Sequence, residues 1–499
     1  MTHKSTLRSA VCFAALVSGN AAFADVTAQQ VWDDWKIEME MFGGDVTTTS
    51  EDLIGDTLTV RDLTLTTDED GISSTLTIDQ LIFDGQDDGS VRITTSDSYP
   101  LVITEEDGAV ITVLISHPGL EMTVSGTPEA LDYALQSDRF TVALQDIVNG
   151  EDTFTADMQL VGNNMSGTYS TRLDEMRNTS YDVQFDSFDL LVDVQPPDKP
   201  GEYVTGGGKV NGISVQADIT MPLDADMADP DDLIASGMAV AGGYTVDSSE
   251  FVFDFNIDDG QGAGSFSAGA ASLTAQISDQ SVSYITNSND IAVSVTAADL
   301  PFPIDVSLAE YGITFEMPLG QAETPQPFAL GVDLVDLTLS DMIWSLFDPD
   351  SVLPRDPATV QIGLSGLARP LFDMLDPAQE EAMMASDLPF ELDSVDLTQF
   401  NLAIAGATAT GEGAFTFDND DLTTFAPYPR PEGAVSVTIN GLNALLDNLV
   451  TMGLIPEQDL MGPRMMMGMF ARSTGDDQLE TNLEVTPDGQ VLANGQRIR

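Results

Sequence analysis

Apolar residues fall at positions 1, 3, 6 and 8 of a phrase that returns along the whole chain. It reads Leu58, Val60, Leu63, Leu65, then Leu76, Ile78, Leu81, Phe83, and again Val183, Phe185, Phe188, Leu190. It comes back as Val332, Leu334, Leu337, Leu339 and as Val395, Leu397, Phe400, Leu402. Alternation with period two predicts half-buried strands. The extra residue between positions 3 and 6 predicts a β-bulge that bends each strand while keeping its apolar side inward. Hairpin dipeptides punctuate the pattern at Asp70-Gly71, Asp84-Gly85, Asp88-Gly89, Asp107-Gly108, Asp259-Gly260 and Asp488-Gly489. Others stand at Asn149-Gly150, Asn211-Gly212, Asn440-Gly441 and Asn494-Gly495. The expected fold is mainly β: long, curved antiparallel meander sheets, as one unit or two related halves, with a few short covering helices.

Helical spacing is rarer. Thr27 and Gln30 form a capping box ahead of Val31, Trp35, Met39 and Phe42, which share one face before Gly43-Gly44 ends the helix. Asp33, Asp34, Glu38 and Glu40 are read as its solvent face. Short helices are expected after the cap-proline pairs Thr127-Pro128, Asp229-Pro230 and Asp376-Pro377, and over 341–347, 442–452 and 464–471. Pro196 to Gly201 with Gly206 to Gly208 reads as a linker. The chain therefore divides into 25–195, an N-terminal helix plus meander; 196–242, a linker and short helix; and 243–499, a second β-rich half. That half opens on Phe251, Phe253, Phe255 and Ile257 and passes a Gly/Ala/Ser-rich strand region at 260–271.

The first 24 residues read as a signal peptide. Lys4 and Arg8 precede an apolar core at 10–17, and Ala22-Phe23-Ala24 offers a cleavage site after Ala24, which predicts a periplasmic protein. The apolar run falls short of the roughly 20 residues that span a bilayer, so no transmembrane segment is expected in the mature chain. Cleavage removes Cys12, the only cysteine, and with it disulfides, thiol catalysis and Cys-ligated metals. The formal net charge of −65 repels nucleic acid and anionic bilayers and keeps an exported chain soluble.

One stretch gathers what the rest lacks. Trp344 is the only tryptophan beyond the first helix, and Arg355 ends 145 residues, Val210 to Pro354, without a lysine or arginine. Asp341 is expected to start a helix that turns Ile343, Trp344, Leu346 and Phe347 inward, Pro349 to stop it, and a strand to follow at 360–364. Arg355 is expected to pair with Asp348, Asp350 or Asp356 and to staple the helix to the sheet. Trp344, Phe347, Asp348 and Pro349, followed by Leu353, Pro354, Arg355, Asp356, Pro357 and Ala358, resemble the signature of an uncharacterised periplasmic domain-of-unknown-function family of alphaproteobacteria. The closing LEVTPDGQVLANGQ fits it too. In phrase and compartment rather than motif, the chain is also similar to the large groove-forming envelope proteins of the AsmA-like kind. These resemblances imply an envelope protein and bring no reaction, cofactor or catalytic residue with them.

The residues themselves offer little chemistry. His117 is the sole histidine of the mature chain and stands without a nucleophile elbow, so no serine triad or histidine metal cluster is assigned, and a surface position is expected for it. Asp84, Gln86, Asp88 and Gly89 imitate the start of an EF-hand loop, but Thr95 stands at the twelfth position, so a hairpin turn is preferred. No catalytic, cofactor or metal residue is assigned, and no enzyme is expected. Met465, Met466, Met469 and Phe470 lie in a Met-rich helix and either fill a core or present a surface to an apolar ligand. Three readings stand: a curved sheet that binds or shelters a lipid-like molecule, a protein-interaction scaffold of the envelope, and an acid-driven hydrolase. The corresponding partners are an apolar molecule or an envelope protein, not nucleic acid.

Overall fold

The structure, a computed structural model, describes residues 26–41, 44–69, 71–150, 152–196, 199–223, 233–234, 236–258, 260–376, 378–386 and 388–499. Among the described residues twenty-eight strands join in one sheet, and their pairings are antiparallel. The long strands follow one another in chain order, from Thr57–Glu69 beside Ile72–Gly85 at one end to Arg430–Asn440 beside Gln478–Val485 at the other. The mainly β meander expected from the phrase is what the chain forms.

The slip inside the phrase has a backbone cause. Asp62, Asn164, Asp290 and Asp336 stand mid-strand with φ of 47°, 50°, 51° and 55°, and Gly212 does the same at 62°. Asp and Asn reach this left-handed region at lower cost than other side chains, and here their carboxylates and amides are also tied down. Thr49 Oγ1 donates to Asp62 Oδ2 (2.6 Å), and Asn164 Nδ2 donates to Asp186 Oδ2 (2.6 Å). Asp62 sits opposite Asp79, Asn164 opposite Asp138, and Gly212 opposite Asp186, each left out of the ladder between paired neighbours. The kinks therefore form a polar seam across the sheet, with an arm of strand on either side and the apolar side chains of both arms on one face. Phe185 and Phe188, which flank the seam on one strand, bring their rings to 4.5 Å.

One wiring occurs twice. Ile72–Gly85 pairs with both Val91–Thr95 and Ser98–Thr104; these pair with Glu121–Thr127 and Val110–Ser116, and both of the latter with Ala130–Asn149. Likewise Tyr203–Pro222 pairs with Ala239–Val246 and Ser248–Ile257, these with Ala271–Ile277 and Gly260–Ala268, and both with Ser281–Ala297. Helix α1 (Ala28–Met41) lies on the first copy. Val31 and Trp32 are fully buried there with Leu58, Phe83, Val91, Val124 and Leu131. The Trp35 ring meets Phe83 edge-on at 5.3 Å. The capping box forms as expected, Gln30 N donating to Thr27 Oγ1 and Thr27 N to Gln30 Oε1.

Several local expectations are corrected. Thr127-Pro128 opens no helix: Thr127 pairs with Ala130, and the two residues between make a hairpin turn. After α2 (Asp341–Phe347) and the strand Ala358–Pro370, Asp376 caps a turn through Ala378 N, and the expected helix, α3 (Glu380–Met384), starts only at Glu380. Asn211-Gly212 is a seam kink, Asn440-Gly441 leads into α4 (Leu442–Thr451), and Asp84-Gly85 ends a strand whose turn comes later, at Gly89. The 196–242 stretch contains the twenty-residue strand Tyr203–Pro222, paired on both sides, so the sheet passes through the expected linker. In α2 no side chain is fully buried: Ile343 and Trp344 are half-buried, but Leu346 is 69 % exposed and Phe347 is also exposed, so only part of the expected inward face is covered. Residues 1–24, Phe42, Asp70, Asp229-Pro230, Asp259 and Pro377 lie outside the described residues.

Candidate functional site

Cross-strand partners share a sheet face, so the register traces that face residue by residue. One row runs through Leu58, Phe83, Ile93, Met122, Leu135, Gly167 and Val183. It continues through Val215, Tyr244, Leu273, Thr286, Ile313, Val332, Ile362 and Phe400. On the other arm a row links Tyr99, Ile115, Val142, Leu160, Leu190, Gly208, Phe251, Phe266, Val293, Val306 and Leu339. Both are apolar almost throughout. Beneath α1 the first row is sealed, with Leu58 and Phe83 at 0 % exposure, whereas Val215, Tyr244, Val332 and Ile362 of the same row are 39–42 % exposed.

In the second copy the floor is paved rather than packed. Phe251, Phe253 and Phe255 lie across glycines on the paired strands. A Cβ on Gly264 would come within 2.5 Å of Phe253 Cζ and one on Gly262 within 2.9 Å of Phe255 Cζ, and one on Gly208 would overlap the Phe251 ring. The absent side chains let the rings lie flat along the sheet, which leaves a broad apolar surface.

Where α1 stops, the covered end opens into a cavity of about 520 Å³. Leu65 and Thr67 line it from one arm, Met122, Leu135 and Val183 from the other, and Trp35 and Met39 from the helix. The arms on either side of the seam thus face one space. At its wall Arg177, on the strand Met176–Val194, grips α1: Nη1 and Nη2 donate to the two Asp34 oxygens at 3.0 and 3.2 Å, and Nη2 also reaches Glu38 at 3.4 Å. Tyr169 OH donates to Glu38 at 2.7 Å. Arg177 and Asp34 are buried, so the expectation that Asp34 and Glu38 form part of the helix's solvent face is corrected. Burial alone would lower the Arg177 pKa, but Asp34 and Glu38 outweigh it and hold the guanidinium above its ordinary value. Burial, reinforced by the Glu38 charge, pushes the Tyr181 hydroxyl up to about 12; Tyr169 is raised further by the same causes, and Tyr133 by burial and Asp34. This latch was missed on reading the sequence. The signal was present, since Asp34 and Glu38 stand three and seven residues after Val31, on its stripe of the helix.

The residues singled out in sequence lie elsewhere. Arg355 donates to Asp341 Oδ1 (2.5 Å) and Ser351 Oγ (2.9 Å), not to the acids of the Asp-Pro cage. Asp348 is buried and accepts the Val352 and Leu353 backbone N–H groups, both at 2.9 Å, which fixes the turn after α2. Asp356 is exposed, and the Trp344 and Phe347 rings pack on each other at 4.9 Å. Met465, Met466 and Met469 are exposed on α5 (Met461–Phe470), while Phe470 is half-buried and its carbonyl accepts from Thr481 Oγ1 and Asn494 Nδ2. They do not fill the open face. His117, expected at the surface, is buried at the seam against Tyr99 at 5.2 Å, because its strand breaks there to cross the bend. Among the described residues no group of three or more His, Cys, Asp or Glu is placed to hold a metal, and no helix is long and apolar enough to cross a membrane.

No curated protein matches the chain. Residues 286–497, from within Ser281–Ala297 to the last strand, match the model of a bacterial family described as "Uncharacterized protein conserved in bacteria" (DUF2125); the segment contains α2 and its signature turn but not α1, the latch or the cavity.

Proposed function

We propose that this protein binds a lipid-like apolar molecule along the uncovered part of its sheet, as an exported protein of the cell envelope. One observation carries the reading: a single row of side chains is sealed under α1 at Phe83 and bare at Val332 and Ile362. Soluble proteins rarely leave so long an apolar surface open unless something binds it. Among the described residues α2, α3 and α4 have no fully buried side chain, and Met465, Met466 and Met469 of α5 face solvent. A sixteen-carbon chain shielded on one side only would gain on the order of 6 kcal/mol before association costs, at about 0.8 kcal/mol per methylene.

The face favours chains over charged heads. The strands from Val210 to Pro354 carry no lysine or arginine, so nothing in them would hold a phosphate or carboxylate. Organic extraction of protein isolated from the periplasm, together with uptake of an uncharged fluorescent acyl probe, tests the reading. Co-extracted lipid and saturable uptake are expected; a lipid-free extract with no uptake would leave the scaffold reading in its place.

A further inference from the structure

We infer that the cavity under α1 is the seat for the free end of an unbranched hydrocarbon chain, so that the ligand lies tail-inward at the covered end and head-outward on the open face. The inference rests on the lipid-binding reading above and adds where the chain stops and which way it points. The cavity, about 520 Å³, is of the size that holds small ligands. Its Met122, Leu135 and Val183 belong to the row that continues as Val215 and Tyr244. A chain lying on the open face therefore reaches the cavity without leaving apolar surface.

The wall offers no lysine or arginine to an anionic head. Its acidic side chain, Glu38, already receives Tyr169 and Arg177, and Arg177 is committed to Asp34 on the far side. A headgroup that sought Glu38 would have to displace these bonds, whereas a methyl end needs none of them. Beyond the cavity the way is closed, because α1 rests on Phe83 and Leu58 with no exposure left. The shielding differs as well: the open face covers a chain on one side, whereas the cavity adds walls from both arms of the sheet and from Trp35 and Met39 of α1. Each methylene that passes from solvent into the cavity should tighten binding by up to roughly fourfold, until the end meets the helix. Affinity should thus climb with chain length and then level off.

The test uses the full exported chain and two isomeric monoacylglycerols that carry a photoreactive diazirine either at the methyl end or beside the carbonyl. After irradiation, the methyl-end label is expected on Trp35, Met39, Met122, Leu135 and Met165, and the carbonyl-side label on the open face. Val183→Trp, which narrows the cavity, should weaken binding of a long-chain probe at least tenfold and leave a short-chain probe unchanged; the labelling of the unaltered protein does not depend on that variant folding. Methyl-end label spread over the open face, or long-chain affinity unchanged in a folded Val183→Trp, overturns the tail seat while leaving the lipid-binding reading intact. Failure of either probe to bind at all overturns both.

Discussion

The two identically wired regions, 72–149 and 203–297, differ in what lies on them. In the first, Leu81, Phe83, Val91, Val124 and Leu131 interlock with Val31 and Trp32 of α1 to make a dry core. In the second, the corresponding strands offer Gly206, Gly208, Gly262 and Gly264 with phenylalanine rings laid across them. The same strand connections therefore serve two ends: large aliphatic side chains and a helix give a core, glycine and flat aromatic rings give a surface. What separates a filled sheet from an open one here is side-chain volume and one helix, rather than topology.

The comparison breaks most visibly at the latch. Arg177→Ala leaves Asp34 buried without its partner and should cost about 3–5 kcal/mol, read as a lower urea midpoint. Phe83→Ala should cost a similar about 3–5 kcal/mol by opening a cavity beneath α1. On the open side Gly264→Val pushes the Phe253 ring off its bed and should cost about 1–3 kcal/mol, with the ring's displacement visible in the near-ultraviolet circular dichroism.

Alkaline pH should weaken the covered end. Tyr133, Tyr169 and Tyr181 hold their protons more tightly when folded, so their contribution is whole below the ordinary tyrosine value of about 10. It is lost as pH rises from there through about 12 for Tyr181 and beyond for the other two. Melting followed between pH 9 and 12, with tyrosinate absorbance as the second signal, checks this; a melting temperature flat across that window would contradict the burial of these hydroxyls. The smallest effect is expected at Arg355→Ala. Its partner Asp341 is 84 % exposed, so the pair should contribute no more than about 1 kcal/mol.

Much of this was legible in the residues. The phrase with its slip locates both the strands and the bend, because a left-handed Asp or Asn must break the alternation to keep the apolar side inward; Asp62 and Asp336 stand at its fifth position. The capping box at Thr27 and the stop at Pro349 are local chemistry and were equally plain. Other features depended on partners distant in sequence. The place of Asp34 on the buried stripe of α1 signals that it needs a partner, but that the partner is Arg177, 143 residues away, is set by the fold. Asn211-Gly212 and Asn440-Gly441 share the letters of a hairpin, but a left-handed glycine also suits a strand kink or a helix entrance. That α2 keeps Leu346 and Phe347 exposed could not be read from an amphipathic pattern, which says that a face wants cover and not whether the fold supplies it.

The central claim is that the row sealed at Phe83 is a binding surface at Val332. Native mass spectrometry of the unaltered protein beside Val332→Glu tests it most directly. An unaltered protein that carries a bound lipid mass, and a variant that melts within a few degrees of it but flies bare, is the result expected of an open ligand face. If instead the unaltered protein is bare, or Val332→Glu unfolds while lipid persists on what remains folded, then the row is core and the account is wrong.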